Sequence, residues 1–257
     1  MKQQQRERRG LPTAGPSPVQ PQATTLWEYP SQHYQSWIDE RGVQHRSRSG
    51  MQGHRDYAGA TPSWVILQLL LRYTKPGDVV VDPMCGSGTT LDVCADAGRT
   101  GIGFDLAPSR PDIRQADARR LPLGDRTADF VFVDPPYSTH IDYSDHPECI
   151  GKLDAGGADH GRAYYAAMDR VIGEIDRVLR PDRHMALYVS DSWRTGTGFM
   201  PIGFELFGLL RQRFEAVDII AVVRRNQKLQ RGNWRRTAEE HGFYLRGFNY
   251  LFIMHKR

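Results

Sequence analysis

Short runs of continuous apolar residues organise the middle of this chain. Val79-Val80-Val81 and Ala128 to Val133 lack the alternation of a half-solvated strand, and Thr100 to Asp105 reads as a further strand between them. They have the length expected of strands covered on both faces in a parallel sheet. Between and after them, apolar residues recur at helical spacing. A first helix is predicted to start at Thr61-Pro62, a capping residue followed by proline at the first helical position, and to run through Trp64 to Leu70 before Lys75-Pro76-Gly77-Asp78. A second spans about Thr89 to Ala97, closed by Gly98. A further strand and helix are expected before Ala128. Met168, Val171, Ile172, Ile175, Val178 and Leu179 mark another helix, with Pro181 just beyond it. His184 to Ser190, Asp218 to Val223 and Phe248 to Met254 read as strands, and Phe204 to Phe214 as a helix. Strands alternating with helices imply an α/β, doubly wound, mostly parallel sheet. The last two strands show no helix between them, so an antiparallel pair with a long basic connection is expected.

Composition bounds this picture. The chain has 257 residues, 39% hydrophobic and 25% charged, enough for one soluble α/β domain. Residues 1–24 are rich in Gln, Arg, Pro, Gly and Ser and read as a disordered tail. Residues 25–60 read as an N-terminal extension and loop, polar and Gly-rich over 41–59, and 61–257 as the ordered domain. Trp27, Tyr29 and Trp64 are expected to pack near one end of it. No apolar run reaches the ~18–20 residues of a membrane span and no secretory leader is visible, so a cytoplasmic protein without membrane contact is expected. Cys85, Cys94 and Cys149 have neither disulfide nor metal spacing, and His140, Asp142 and His146 make an improbable ligand set; no metal is expected. Net charge is only +4, yet Arg224 to Arg257 holds nine Lys or Arg against Glu239 and Glu240, which places positive potential near the C-terminal strands.

Candidate chemistry sits at strand ends. The first strand runs into Asp82-Pro83-Met84-Cys85-Gly86-Ser87-Gly88-Thr89, a turn whose glycines permit positive φ and close ligand approach. Ligands of doubly wound sheets bind at the carboxyl ends of strands. Asp105, 23 positions after Asp82, is placed for ribose hydroxyls. Asp117, beside Ala118, is placed for an adenine amino group, and Leu106 for the adenine face. The third glycine of a dinucleotide fingerprint is absent, and a carboxylate at Asp82 repels a pyrophosphate while favouring a sulfonium. The expected cofactor is S-adenosyl-L-methionine, bound by Asp82, Pro83, Met84, Cys85, Gly86, Gly88, Thr89, Asp105, Leu106, Asp117 and Ala118.

Asp134-Pro135-Pro136-Tyr137 closes the fourth strand. Two prolines stiffen the turn and remove two N–H donors, leaving a carboxylate and the Pro135 carbonyl aimed outward. Together they can accept the N–H groups of a base amine and localise its lone pair for attack on a sulfonium methyl, with Tyr137 as a stacking ring. With the turn at Asp82 to Thr89, this motif resembles the amino-group DNA methyltransferases, which make N6-methyladenine or N4-methylcytosine. The resemblance covers about Thr61 to Lys256, in unpermuted order. It implies a seven-stranded Rossmann-like methyltransferase sheet with a reversed C-terminal β-hairpin, and Asp134, Pro135, Pro136 and Tyr137 as the catalytic set. It also implies site-specific DNA methylation of the restriction-modification kind, adenine N6 favoured over cytosine N4 because Asp stands at 134. An RNA base methyltransferase is the alternative, as is a non-catalytic nucleic-acid-binding subunit of the same fold. A separate target-recognition domain has no room here, so recognition falls to Ser138–Arg162, Arg224–Tyr244 and the N-terminal segment. Arg224, Arg225, Lys228, Arg231, Trp234, Arg235 and Arg236 are the expected DNA-contacting residues. Trp193 could line the base pocket or pack at its rim. Target sequence, cognate nuclease and oligomeric state are not encoded in any motif.

Overall fold

A computed structural model describes residues 18–29, 31–54, 57, 59–137, 139, 141, 144–224 and 232–257. Its centre is a sheet of Val79–Asp82 (β4), Thr100–Asp105 (β5), Ile113–Gln115 (β6), Ala128–Val133 (β7), Leu179–Val189 (β8), Glu215–Val223 (β11) and Phe248–His255 (β12), with Leu26–Trp27 (β1) as an eighth strand. The order is β1-β11-β12-β8-β7-β4-β5-β6. The strands from β6 to β8 pair parallel, and β12 runs antiparallel to both β8 and β11. The fold is therefore the expected mostly parallel sheet with a reversed C-terminal hairpin. The addition is β1, which pairs parallel with β11 through Leu26 and Ala221.

Helices cover both faces. Ser63–Tyr73 (α1) and Thr89–Asp96 (α2) lie on one, where Ile66, Leu67, Leu69 and Leu70 are buried with Phe130, Tyr188 and Leu251. Arg162–Val178 (α3) and Ile202–Leu210 (α4) lie on the other, where Met168, Val171, Ile172 and Ile175 meet Val131, Val133, Leu187 and Phe252. Every residue of β7 is buried, which is why it reads as a continuous apolar run. Among the described residues no helix is long and apolar enough to cross a membrane.

Several boundaries differ from expectation. The first helix begins at Ser63, and the Thr61 hydroxyl caps nothing; it is drawn away to Asp134. No helix follows β6: Pro122 and Gly124 break residues 116–127 into turns. A helix, Gly232–His241 (α5), does lie between the last two strands. It lacks an apolar stripe, having only Ala238 buried, and carries an i,i+4 pair from Arg236 to Glu240. The segment expected as a loop holds part of a hairpin: Ser36–Ile38 (β2) and Gln44–Arg46 (β3) pair antiparallel with Trp37 stacked on His45. Packing begins before residue 25, since buried Val19 bridges to Trp37. Residues 1–17 of the expected tail lie outside the described residues. Ser192–Arg194 (β9) and Gly198–Met200 (β10) add a small hairpin that the sequence pattern did not announce.

Candidate active site

The chain reverses direction in the sheet between β4 and β7, since β5 and β6 extend from one side of β4 while β7 and β8 extend from the other. A doubly wound sheet opens a crevice at such a point. The strands that flank it lead into Asp82, the last residue of β4, and Asp134, the residue after β7.

A cavity, partly open to solvent, occupies the crevice. Its wall includes every residue expected to bind the cofactor except Gly88. Gly88 instead takes φ 81° at the start of α2, where a Cβ would lie 2.7 Å from the Arg110 guanidinium. Arg110 in turn holds Asp92 and Asp112 at 2.8 and 2.7 Å, so this glycine serves the ion-paired back of the turn. Gly86, at φ 51°, does face the cavity; a Cβ there would come 2.7 Å from the Tyr57 hydroxyl.

Asp82 turns inward to hold its own turn, accepting from Met84 N at 3.0 Å and Thr90 Oγ1 at 2.5 Å. Burial, helped by the charge of Asp105, pushes its carboxyl up to about 7 against those two bonds. Asp105 accepts from Gly86 N at 3.0 Å and Ala107 N at 2.9 Å, which locks the glycine turn to the end of β5. Asp117 is paired to Arg119 at 2.6 Å, and the hydrogen bonds from Arg119 outweigh burial to hold its carboxyl low. The described lining thus carries four carboxyl side chains, Asp82, Asp105, Asp117 and Asp134, and no Lys or Arg. That acidic, accepting set opposes a pyrophosphate and suits a cationic nucleoside. Tyr57, Gly59, Ala60 and Thr61 close the cavity from the N-terminal side and were not foreseen, because nothing local in their sequence speaks of a ligand.

Asp134 lines this cavity, and Tyr137, three positions on, lines a second. Its Oδ2 accepts from the Thr61 hydroxyl, and the Tyr137 hydroxyl also bonds its carboxyl. Burial is the larger influence and, with the negative charge of Asp82, lifts the carboxyl to about 8. The prolines that follow are held from behind: Tyr164 of α3, fully buried, donates to the Pro136 carbonyl at 2.9 Å. The Pro135 carbonyl accepts no hydrogen bond among the described residues. Tyr137 therefore has a hydroxyl engaged at the carboxyl as well as a ring in the wall.

The second cavity, open to solvent, shares Gly59 and Ala60 with the first. Tyr29, Tyr137, Tyr188, Arg224 and Asn249 line it. Tyr29, expected only to pack, bonds the Tyr188 hydroxyl there. Arg224 was expected on an exposed loop; it lines this cavity, and its Nη1 donates to Ser190 Oγ at 3.3 Å. Trp193 lies at neither cavity. Its ring stacks on Phe243 with centroids 3.8 Å apart, so its role is packing of β9 against the end of α5. Of the other expected DNA contacts, Trp234, Arg235 and Arg236 are exposed on α5, whereas Arg225, Lys228 and Arg231 lie outside the described residues. So do His140 and Asp142; among the described residues no three His, Cys, Asp or Glu are grouped as for a metal.

Residues 1–115 match the family N6_N4_Mtase, described as DNA methylase. The likeness to the amino-methyltransferases holds. It covers the turn at Asp82 and ends before Asp134, so the second motif rests on its own residues and geometry. The chain is also similar to two curated type II methyltransferases. M.MthZI of Methanothermobacter thermautotrophicus is 35% identical over 89 residues, 34% of this chain and 24% of that one. M.Cfr9I of Citrobacter freundii is 31% identical over 118 residues, 40% of this chain and 39% of that one. The chain thus spans less than half the length of either relative. Among solved structures, TrmN from Thermus thermophilus is 18% identical with a TM-score of 0.49, over 78% of this chain and 50% of that one. S-adenosylmethionine is the methyl donor of the matched family's chemistry, and the acidic, cation-free lining of the first cavity fits it.

Proposed function

We propose that this chain is a DNA amino-methyltransferase that moves a methyl group from S-adenosylmethionine to an exocyclic amine of a base. One observation carries the reading: Asp134 and Pro136 line an acidic cavity suited to a cationic nucleoside, and Tyr137, next in the same turn, lines an aromatic cavity suited to a base. Asp105 and Asp117 hold the ribose hydroxyls and adenine amine of the cofactor, and Leu106 covers its ring. The carboxylates nearby favour its positive sulfur. When bound, the cofactor supplies an electrophilic methyl on that sulfur.

The chain's own residues prepare the nucleophile. A base amine is poor because its lone pair is delocalised into the ring. The Asp134 carboxylate accepts one amine N–H and the Pro135 carbonyl the other, which draws the nitrogen towards tetrahedral geometry. Charge develops on nitrogen as the N–C bond forms and the S–C bond breaks, and a fixed carboxylate stabilises it. The nitrogen then sheds one proton, which Asp134 can take with an affinity midpoint near 8 and pass to water. Thr61, Tyr137 and Tyr164 keep the acceptors aimed. Asp134 is the only ground in the sequence for preferring adenine N6 to cytosine N4.

The deciding experiment incubates DNA and RNA with the protein and labelled cofactor and analyses the nucleosides by mass spectrometry. Label in a methylated amine of DNA is expected; label in RNA alone overturns the DNA reading. Asp134→Ala is expected to abolish turnover with cofactor affinity nearly unchanged. Near-normal turnover removes Asp134 from this role.

A further inference from the structure

Two elements of the fold are more apolar than their surroundings require. α4 reads Ile202-Gly203-Phe204-Glu205-Leu206-Phe207-Gly208-Leu209-Leu210, with a single charged residue. A helix apolar on all sides is ordinarily covered on all sides. Here Phe204 is 63% exposed, and Gly208, one turn on, is exposed with it. β11 likewise carries Ile219-Ile220-Ala221-Val222-Val223, the continuous run of a strand with two covered faces. Ile220 and Val222 are buried on the α1 side of the sheet, while Ile219, on the opposite face, is 42% exposed.

These surfaces adjoin. Cross-strand register sets Ile219 opposite Phe252, Ala221 opposite Tyr250 and Val223 opposite Phe248, which puts them on one face of the sheet. Leu26 of β1 pairs with Ala221 on the same face and is 62% exposed. α4 roofs the β12 part of that face, through Phe207 against Phe252 and Phe204 against Tyr250. Leu26 and Ile219 show that its β11 and β1 part has no roof among the described residues. The exposed atoms of Leu26, Phe204, Ile219 and Phe248 amount to roughly 400 Å², taking a large aromatic side chain as ~200 Å². Half-buried Phe207 and Tyr250 bring the patch to about 500 Å², near the upper end of what a monomer shows. It also matches the apolar share, ~65%, of the ~800 Å² that each partner gives to a stable pair.

Gly208 indicates how two copies meet. It sits inside the helix, where glycine costs backbone entropy, and a Cβ built on it meets nothing within 4 Å, so the chain itself gives no reason for it. Glu205 and Arg211 stand three positions to either side, both exposed and neither ion-paired among the described residues. An antiparallel crossing at Gly208 sets Glu205 of each helix against Arg211 of the other, and the facing glycines permit close approach.

We propose that this chain pairs with a second copy of itself across the α4–β11 face, about a two-fold axis at Gly208. A two-fold contact must be self-complementary, and a patch that carries its own acid and its own base meets that demand. The interface covers Leu26 as well, and so clamps β1, the short edge strand that leads to Tyr29. The pairing stands whether or not the transferred methyl group goes to a base.

Sedimentation velocity on the full chain over a concentration series tests this. A dimer is expected, and Phe204→Glu and Gly208→Glu are each expected to shift it to monomer. Thermal melts followed by circular dichroism check that the variants fold. Gly208→Glu places a better helix former at an open position, so it remains informative where Phe204→Glu misfolds. Glu205→Arg and Arg211→Glu are each expected to weaken the dimer about tenfold, and the double reversal to restore it to within about threefold. A parent that stays monomeric throughout overturns the proposal, as does a dimer indifferent to Phe204→Glu and Gly208→Glu. A double reversal that fails to restore the dimer overturns the crossing at Gly208.

Discussion

Removing one hydroxyl far from Asp134 in sequence should move the pH at which the enzyme works. Thr61 donates to Asp134 Oδ2 across 73 positions of chain. The bond favours the ionised carboxyl, the better acceptor for an amine N–H, against a burial that holds the group near 8. A hydrogen bond to a charged group contributes ~1.5–3 kcal/mol. At ~1.4 kcal/mol per pH unit, Thr61→Val raises the midpoint by about one to two units. Near pH 7 about a tenth of the carboxyl is ionised with a midpoint of 8, so the variant should lose roughly ten- to a hundredfold in kcat/KM there. The deficit should shrink steadily above pH 9. Thr61→Ser keeps the donor and should track the parent. The assay is kcat/KM for cofactor from pH 6 to 10, which reports the free enzyme's essential group, with calorimetry of cofactor binding alongside. A loss by the same factor at every pH would refute the reasoning, because it would make Thr61 a packing residue with no hold on the ionisation of Asp134.

Other expectations follow from the same geometry. Asp105→Ala removes both the ribose acceptor and the brace on Gly86 N, so cofactor affinity by calorimetry should fall by about 2–4 kcal/mol; less than a threefold change defeats the ribose assignment. Asp134 binds its proton with a midpoint near 8 in the fold against the usual 3.8, so its contribution to stability is fully present below about 4 and is lost as pH rises through 8. Asp134→Asn should therefore raise Tm relative to the parent at pH 8–9 and change it little at pH 4. On α5, Arg235→Ala with Arg236→Ala should weaken binding to all duplex sequences and flatten the log–log salt dependence by about one to two units, with cofactor binding untouched. An unchanged slope in fluorescence anisotropy reduces α5 to a solvated helix.

The sheet was legible in the sequence because burial on both faces leaves an unmistakable trace. β4 and β7 lie where the apolar runs place them, and Asp82 and Asp134 at their carboxyl ends line the cavity. What stayed hidden lacks a local cause. Residues 41–46 turn into a hairpin through a contact between Trp37 and His45 that only the folded chain creates. The helix α5 offers periodic charge in Arg236 and Glu240 but no apolar stripe, and a search for hydrophobic spacing passes over it. Thr61-Pro62 carries a capping signature, and the tertiary structure spends the hydroxyl on a carboxyl instead.

The same distinction explains why half of the candidate site was invisible. Cofactor-binding groups occupy successive strand ends, so they recur with the period of the fold and can be counted off along the chain. The base-side groups come from places with no common period: Tyr29 from the N-terminal extension, Thr61 from before α1, Tyr188 from β8, Arg224 and Asn249 from the two strands of the reversed hairpin. The extension reaches this position because β1 adds to the open edge of β11 and Val19 pairs with Trp37. Edge pairing removes an exposed row of backbone groups and at the same time carries Tyr29 to the wall. The N-terminal extension thereby lines both cavities of the proposed site, and truncation before residue 60 should abolish base binding as well as loosen the cofactor cavity that Tyr57 closes.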